Sequence, residues 1–178
     1  MKSSVLFAAV AVALLITPAG AQSVGERTGV NSALGVAPKT EDFAKEVAIC
    51  DMFEIQSSKL AQTKAQNASI KTFAGEMVGD HQKTTSEFKG LVTSGKVRVD
   101  LPTAMDSSHQ SKLDKLNGLS GADFDKQYVS DQQSAHKDAV NLFERYAKGG
   151  DHADLKTWAG KTLPTLRHHK EMADKLPK

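Results

Sequence analysis

Four side chains in this sequence combine reactive chemistry with an inward position: Glu54, His81, His136 and His169. Each lies at the centre of an apolar stripe that recurs at the helical period, so each is expected to face a protein interior. A buried carboxylate or imidazole is costly unless it is paired. One carboxylate and three neutral imidazoles together can ligate zinc, copper or iron, and the sequence therefore predicts a transition-metal site.

The same side chains have a simpler interpretation, which stays open at this point. Each histidine alone could be a hydrogen-bonded core residue, and Glu54 could form a buried ion pair with a protonated His81 or His136. Cys50 lies one turn before Glu54 and is expected to be an inert buried thiol, with a fifth metal ligand as the alternative.

Other polar residues near the candidate ligands fall into two groups. The first group is expected to orient the ligands by hydrogen bonding and comprises Asp80, Gln132 and Thr162. The second group is expected on the surface, off the apolar stripes, and comprises His109, His152 and His168.

Four amphipathic helices are needed to bring the candidate ligands together. Their predicted bounds are about Glu41–Lys64, Ser69–Ser94, Ser120–Gly149 and Asp151–Leu176. Tight turns join the first helix to the second and the third to the fourth, and the first two are expected to be antiparallel neighbours.

The connection between the second and third helices is long and carries a short extra helix, predicted over Met105–Leu116. Its direction is left open, because it could cross the whole molecule or fold back at one end. No strand-like alternation of useful length occurs. The predicted fold class is therefore all-α, a four-helix bundle with a long connection in its middle.

Several helix ends carry local signals. Thr40 is expected to cap the first helix, Ser120 to open a capping box for the third, and Asp151 to cap the fourth. Gly149-Gly150 predicts a left-handed stop. Pro164 lies inside the fourth helix and predicts a kink.

The candidate ligands also lie at similar heights along the predicted bundle. At ~1.5 Å per residue, Glu54 and His81 differ by ~5 Å in their distance from the turn between their helices. His136 and His169 differ by ~8 Å in the same measure. All of them then fall in or near the middle third of a bundle ~40 Å long.

The first 39 residues are not expected to belong to the bundle. Lys2, the apolar run Val5–Ile16 and a small-x-small pattern ending at Ala21 are typical of a signal peptide over residues 1–21. Cleavage is expected after Ala21, followed by a flexible tail over residues 22–39 and the bundle domain over residues 40–178. The chain is accordingly predicted to be periplasmic or secreted.

Composition limits the partners that the chain could bind. The formal net charge is +2, and removal of Lys2 with the leader leaves +1. A net charge this small does not indicate binding to nucleic acid or to anionic lipid. No segment after residue 21 is long and apolar enough to span a membrane. Cys50 is the only cysteine, so no internal disulfide can form. A monomer or a homodimer is expected, and no protein partner is indicated.

Known enzyme motifs do not match the candidate ligands. Di-iron carboxylate bundles use Glu-x-x-His on two helices, but the residues three positions before the histidines are Val78, Gln133 and Leu166. The sequence also has no G-x-S-x-G, no phosphate loop and no His-Glu-x-x-His. These observations argue against a ferroxidase and against a hydrolase.

Several segments occur together in an informative combination: FEIQSSKLA (53–61), FAGEMVGDH (73–81), SGADFDKQY (120–128), His136 and LPTLRHH (163–169). The combination resembles a bacterial exported family with a domain of unknown function, whose members are often labelled outer membrane proteins. The resemblance covers about Phe43–Leu176 and implies a ferritin-like fold and a periplasmic or secreted location. The family pattern that it implies keeps Glu54, Asp80, His81, His136 and His169, and it brings no established activity.

Three functional hypotheses follow, in order of preference. The first is an exported ferritin-like bundle that binds a single transition metal, zinc, copper or iron, in its core. The second is a non-enzymatic envelope or stress-related protein whose buried Glu/His cluster is structural and whose surface binds a partner. The third is a metal-dependent oxidoreductase.

Overall fold

A computed structural model describes residues 30–177, and this part of the chain is all-helical, without strands. Its helices are α1 Val30–Ala33, α2 Thr40–Lys64, α3 Ala68–Thr93, α4 Ser107–Gly118, α5 Gly121–Gly149 and α6 Ala153–Asp174. The predicted all-α class is confirmed, and the long helices lie close to their predicted bounds. The predicted signal peptide and the start of the predicted tail lie outside the described residues.

The end of the predicted tail lies against α5. The Ser32 hydroxyl donates a hydrogen bond to the Asn141 side chain at 2.8 Å. The Arg145 guanidinium donates to the backbone carbonyl of Val36 at 2.6 Å. These contacts join α1 and the following residues to the C-terminal half of α5.

The four long helices pack side by side around a shared interior. α2 packs along α3, α5 packs along α6, and the two pairs meet through contacts of α2 with α5 and of α3 with α6. Buried residues near the end of α2, the start of α3, the start of α5 and the end of α6 belong to one apolar cluster, which contains Ala61, Ile70, Phe124 and Ala173. Each pair is therefore antiparallel, whereas α3 and α5 run in the same direction.

The long connection crosses the length of the molecule. Phe88 near the end of α3 and Val97 in the connection belong to a second apolar cluster at the opposite end. Leu113 and Leu116 of α4 are buried in the first cluster, from which α5 begins. The direction that the sequence left open is thus a full crossover, with α4 packed on α2.

The two apolar clusters leave a polar layer between them. On α3, Met77 belongs to the first cluster and Phe88 to the second, and His81 lies between them. The second cluster includes a stacked pair, Phe88 and Trp158, with ring centroids 5.2 Å apart. Burial of each large apolar side chain contributes about 1.5–3 kcal/mol, so these clusters fix the height of the layer from both sides.

Two of the predicted helix caps are wrong. Lys39 takes the N-cap position of α2, and the Thr40 N–H and hydroxyl both donate to the Asp151 carboxylate, the N–H at 3.0 Å. His152 caps α6, where its Nδ1 accepts from the N–H of Leu155 at 3.5 Å. The reason is topological: α2 and α6 begin at the same end of the molecule, which places Asp151 at the positive end of the α2 dipole.

Two further predictions for helix ends differ from the structure: the capping box at Ser120 and the left-handed stop at Gly149-Gly150. Ser120 takes the N-cap position of α5 but makes no side-chain capping hydrogen bond. Gly150 has a φ of −59°, so the predicted left-handed stop is wrong. A Cβ atom at Gly150 would lie 2.6 Å from the carbonyl oxygen of Tyr146, and close approach of backbone explains the glycine. α6 includes Pro164 in one continuous helix, and the kink expected there stays a prediction.

Replacement of Asp151 tests its contact with α2. The Thr40 hydroxyl lowers the pKa of Asp151, so the carboxylate stabilises the fold above its unfolded pKa of about 3.9, and this contribution is lost as the pH falls through the folded pKa. We expect Asp151→Ala to lower the free energy of unfolding by about 1 kcal/mol at neutral pH and by much less in strong acid. Urea denaturation across this pH range measures both values.

A matched control for this variant is Asp138→Ala, an exposed carboxylate on α5. This change is expected to alter the free energy of unfolding by less than about 0.5 kcal/mol. A deficit for Asp151→Ala that is equally large at neutral and strongly acidic pH would contradict the proposed ionic contact.

Candidate metal centre

Three of the predicted ligands meet in the polar layer between the two apolar clusters. His81 from α3, His136 from α5 and His169 from α6 are 5%, 1% and 2% exposed. Each offers one ring nitrogen, and these nitrogens lie within 4.8 Å of one another. The ring centroids are 5.5 to 5.8 Å apart. The fold thus gathers imidazoles from distant parts of the sequence at one point.

A hydrogen-bond acceptor holds each of the three rings by one nitrogen. His81 Nδ1 lies 2.7 Å from the Asp51 carboxylate, and His169 Nε2 lies 2.8 Å from the Asp80 carboxylate. His136 Nδ1 lies 3.0 Å from the backbone carbonyl of Gln132, one turn earlier on α5. Because carboxylates and carbonyls only accept, the nitrogen that faces each of them carries the hydrogen.

The other nitrogen of each ring has no hydrogen-bond partner within the described part of the chain. These atoms are His81 Nε2, His136 Nε2 and His169 Nδ1. In a neutral imidazole, the nitrogen opposite the donor is an acceptor with an unshared electron pair. With all three rings neutral, three such acceptors lie near one another in the interior, whereas a proton on His81 Nε2 would make that atom a donor.

Glu54 adds a fourth acceptor to this layer. It is 3% exposed, and neither of its carboxylate oxygens has a hydrogen-bond partner of normal geometry among residues 30–177, although the Gln132 side chain lies near enough to lower its pKa against the effect of burial. It lines the same cavity as the three histidines. Glu54 makes no hydrogen bond to His81 or His136, and His81 Nδ1 pairs with Asp51 instead, but the charges of Glu54 and His81 lower the pKa of the first and raise that of the second.

Burial and neighbouring charges shift the pKa values of the layer in different directions. Burial, together with the positive charge of His81, lowers the pKa of His136 to about 4. Burial also lowers the pKa of His169 to about 4, despite its bond to Asp80. Burial opposes protonation of His81, but the Asp51 carboxylate outweighs it and raises the pKa. Burial raises the pKa of Glu54, and the charge of His81 acts against that rise. His136 and His169 are therefore neutral at pH 7.

A cavity of about 30 Å³ lies beside the histidines, on the side of the second apolar cluster. About 10–15 Å³ suffices for one water molecule, so a small ligand fits. Leu142, Phe143 and Leu166 contribute apolar walls. Trp158 also lines the cavity, and its indole N–H is buried without a hydrogen-bond partner in the described structure.

The residues expected to orient the ligands have three different outcomes. Asp80 hydrogen-bonds His169, as described above. Gln132 acts on His136 through its backbone carbonyl, while its side-chain amide donates to the Ser57 hydroxyl at 3.4 Å. The Thr162 hydroxyl donates to the carbonyl of Trp158 at 3.0 Å, within its own helix, and so does not orient a histidine.

Asp51, the carboxylate that holds His81, is not among the site residues that the sequence pattern predicts. Asp51 is 7% exposed, and its second oxygen accepts a hydrogen bond from the Thr85 hydroxyl at 2.8 Å. A signal was present, since Asp51 lies three positions before Glu54 and therefore on the same side of α2. Its place at the edge of the apolar stripe made it resemble a solvated residue.

The other histidines and the cysteine are distributed as follows. His168 is exposed, as predicted, and His152 is half-buried at the start of α6. The surface prediction for His109 is wrong, because its side chain is only 15% exposed and packs against the ring of Phe53. Burial and the nearby carboxylates raise the pKa of the Cys50 thiol well above its usual range, so this thiol is protonated at neutral pH.

These observations define an all-helical protein with a buried cluster of three histidines and one glutamate. Residues 25–176 match the family model described as a domain of unknown function (DUF4142), and the chain belongs to this family. No curated protein and no solved structure matches the chain. Among the described residues, no helix has the length and apolar character needed to cross a membrane.

Replacement of Asp51 tests whether the acceptor partners stabilise the layer. We expect Asp51→Ala to lower the free energy of unfolding in chelator by about 1–3 kcal/mol, because the buried Nδ1–H of His81 loses its acceptor. Urea denaturation of the metal-free chain measures this change. The control is Asp114→Ala, an exposed acceptor on α4 that is bonded to Gln110. Equal stability of the two variants would show that the Asp51 contact contributes nothing.

Proposed function

We propose that this chain is an exported, ferritin-like four-helix bundle that binds one transition-metal ion in its core. The proposed ligands are His81 Nε2, His136 Nε2 and His169 Nδ1, with Glu54 as the fourth. Zinc, copper and iron are the candidate metals, since imidazole and carboxylate ligands suit all three. The observation that carries the proposal is the set of unpartnered acceptor atoms that face one another in the interior.

The cost of this arrangement without a cation supports the proposal. A buried polar atom without a partner costs about 1–3 kcal/mol, and five such atoms belong to these four side chains. Proteins keep such clusters of acceptors when a cation satisfies them together, because one ion replaces several missing donors. The hydrogen bonds on the far nitrogens agree with this interpretation, since metal-bound histidines usually donate their other N–H to a carboxylate or a carbonyl.

The fourth ligand position has two candidate occupants. Glu54 supplies a carboxylate from α2, the one long helix that contributes no histidine. The cavity beside the histidines offers room for a water molecule instead. A site with three protein ligands and one exchangeable position is typical of catalytic zinc, whereas four protein ligands are typical of structural zinc.

The ferritin-like assignment is inferred from connectivity. Two antiparallel helix pairs joined by a single long crossover are the arrangement that ferritin-like bundles use. The order α2, α3, crossover, α5, α6 has this form, and the resemblance noted in the sequence points to the same class. The ligand set differs from the di-iron pattern of such bundles, because the layer holds one carboxylate and three imidazoles.

An exported location agrees with the other features of the chain. The predicted leader over residues 1–21 would direct the chain to the periplasm or outside the cell. A single cysteine leaves no internal disulfide to stabilise it there. A core metal would supply that stability by another route, because an ion that binds only the folded state raises the free energy of unfolding.

Adjacent histidines on α6 provide the main test. His169 is buried in the cluster, whereas His168 is exposed. The chain is prepared without a polyhistidine tag, stripped with chelator and titrated with zinc, copper or iron. We expect one equivalent to bind at the histidine cluster and, at a free concentration 100 times the Kd of that site, to add about 2.7 kcal/mol to the free energy of unfolding. His169→Ala should abolish this rise, and His168→Ala should retain it.

The only tryptophan gives an independent signal for the same titration. Trp158 lines the cavity beside the histidines, so a paramagnetic ion in the cluster should quench its fluorescence. If none of the three metals shifts the melting transition or quenches Trp158, the second hypothesis is favoured: an envelope or stress-related protein with a structural cluster.

The cavity favours one further candidate function, a metal-dependent oxidoreductase. A substrate the size of peroxide fits this space, where the Trp158 N–H, which has no partner among the described residues, would be a donor to it. Peroxide consumption by the copper- or iron-loaded chain would support this function if His169→Ala removed it and His168→Ala did not. No consumption above that of the free metal would exclude peroxide as the substrate.

A further inference from the structure

We propose that Glu46, Cys50 and His109 form a second binding site, for a thiophilic transition-metal cation, at the contact between α2 and α4. All three residues are half-buried, and each offers one ligand atom within 4.8 Å of the others. The Cys50 Sγ lies 3.6 Å from a carboxylate oxygen of Glu46 and 3.9 Å from His109 Nε2. A thiolate, an imidazole and a carboxylate from two helices thus converge on one point.

The His109 ring is held in the orientation that a ligand needs. Its Nδ1 lies 2.8 Å from the Asp106 carboxylate, which leaves Nε2 directed toward the sulfur. The same carboxylate accepts the backbone N–H of His109 at 2.8 Å and caps α4. The ring also packs against Phe53, with centroids 5.7 Å apart. The helix cap and the aromatic contact therefore fix the position of Nε2 before any ion binds.

The observed distances are close to those of a tetrahedral site. With metal–sulfur bonds of ~2.3 Å and metal–nitrogen bonds of ~2.0 Å, the two ligand atoms are separated by ~3.5 Å. The sulfur and the imidazole nitrogen need to approach by only a few tenths of an ångström from their 3.9 Å separation. Thiolate and imidazole together favour zinc or monovalent copper over magnesium and calcium.

The site has a different ligand set from the histidine cluster, although both use α2 and Cys50 also lines the cavity beside the histidines. Glu46 and Cys50 are one turn apart on that helix, and the third ligand comes from α4 rather than from α3, α5 or α6. The three residues supply three protein ligands, so a water molecule would complete a tetrahedral set. In the metal-free chain the thiol donates to Glu46. Binding of the cation forms the metal–sulfur bond and releases the thiol proton to solvent.

A thiolate-to-metal charge-transfer band provides the test. Cys50 is the only cysteine in the chain, so a cobalt(II)–thiolate band in the near ultraviolet reports a metal bound to Cys50. Because Cys50 also lines the cavity beside the histidines, the His109→Ala and His169→Ala variants assign the band to one site or the other. Titration of the metal-free full chain with cobalt(II) should produce a band whose absorbance stops rising when one cobalt ion is bound per Cys50. Cys50→Ser should eliminate the band, and His109→Ala should weaken the affinity read from it by about tenfold or more.

Matched variants separate this proposal from the core metal site. His152→Ala, which removes a half-buried histidine elsewhere, should leave the band unchanged, and so should His169→Ala. Circular dichroism verifies that each variant folds. Survival of the band in His169→Ala, with loss of the core-site stabilisation, would show two independent sites.

Alkylation of Cys50 gives a second measurement that needs no cysteine variant. Zinc should slow the reaction of iodoacetamide with Cys50 in the wild-type chain by about tenfold or more and leave the rate nearly unchanged in Glu46→Gln and His109→Ala. The proposal is overturned if no band forms, if the band is equally strong in His109→Ala, or if zinc protects Cys50 equally in all variants.

Discussion

The structure depends on a hydrogen bond that holds one nitrogen of each of the three buried imidazoles. The other nitrogen of each ring is left without a hydrogen-bond partner in the described part of the chain. Asp51, Asp80 and the Gln132 carbonyl are all acceptors, and they therefore fix which nitrogen carries the hydrogen. The other ring nitrogens, with their unshared electron pairs, then lie within a few ångströms of one another. In a dry interior such a set is unfavourable by itself, and a bound cation is the simplest species that satisfies all of its members.

The fold holds this set in place through apolar packing on both sides. One cluster surrounds the turn between α2 and α3 and includes α4, while the other fills the opposite end. Side chains in such interiors are close-packed, so the rings cannot turn outward to find water without disrupting a cluster. Burial also keeps His136 and His169 neutral at pH 7, and only neutral imidazoles can bind a metal. The Asp51 carboxylate raises the pKa of His81, so a metal would displace a proton from His81 Nε2. The apolar core thereby maintains the geometry of the layer and the neutral state of two of its three imidazoles.

Much of this architecture could be predicted from the sequence, because the helices have a strong period and the polar residues at their centres interrupt it. The period placed His81, His136 and His169 inside and gave the all-α class and the bounds of the long helices. It could not give the direction of the crossover, since a long connection satisfies either course. Two N-cap predictions are wrong for a similar reason, because Asp151 binds Thr40 of another helix. Asp51 and His109 are buried by neighbours that are distant in the chain. Local patterns do not contain such contacts.

The most direct measurement of the central claim is the anomalous difference density of a crystal grown with zinc or cobalt. The account predicts a peak in the layer between the two apolar clusters, bonded to His81 Nε2, His136 Nε2 and His169 Nδ1 at about 2.0–2.1 Å. Rings that keep these nitrogens bonded to ordered water, with no anomalous peak between them at saturating metal, would contradict it.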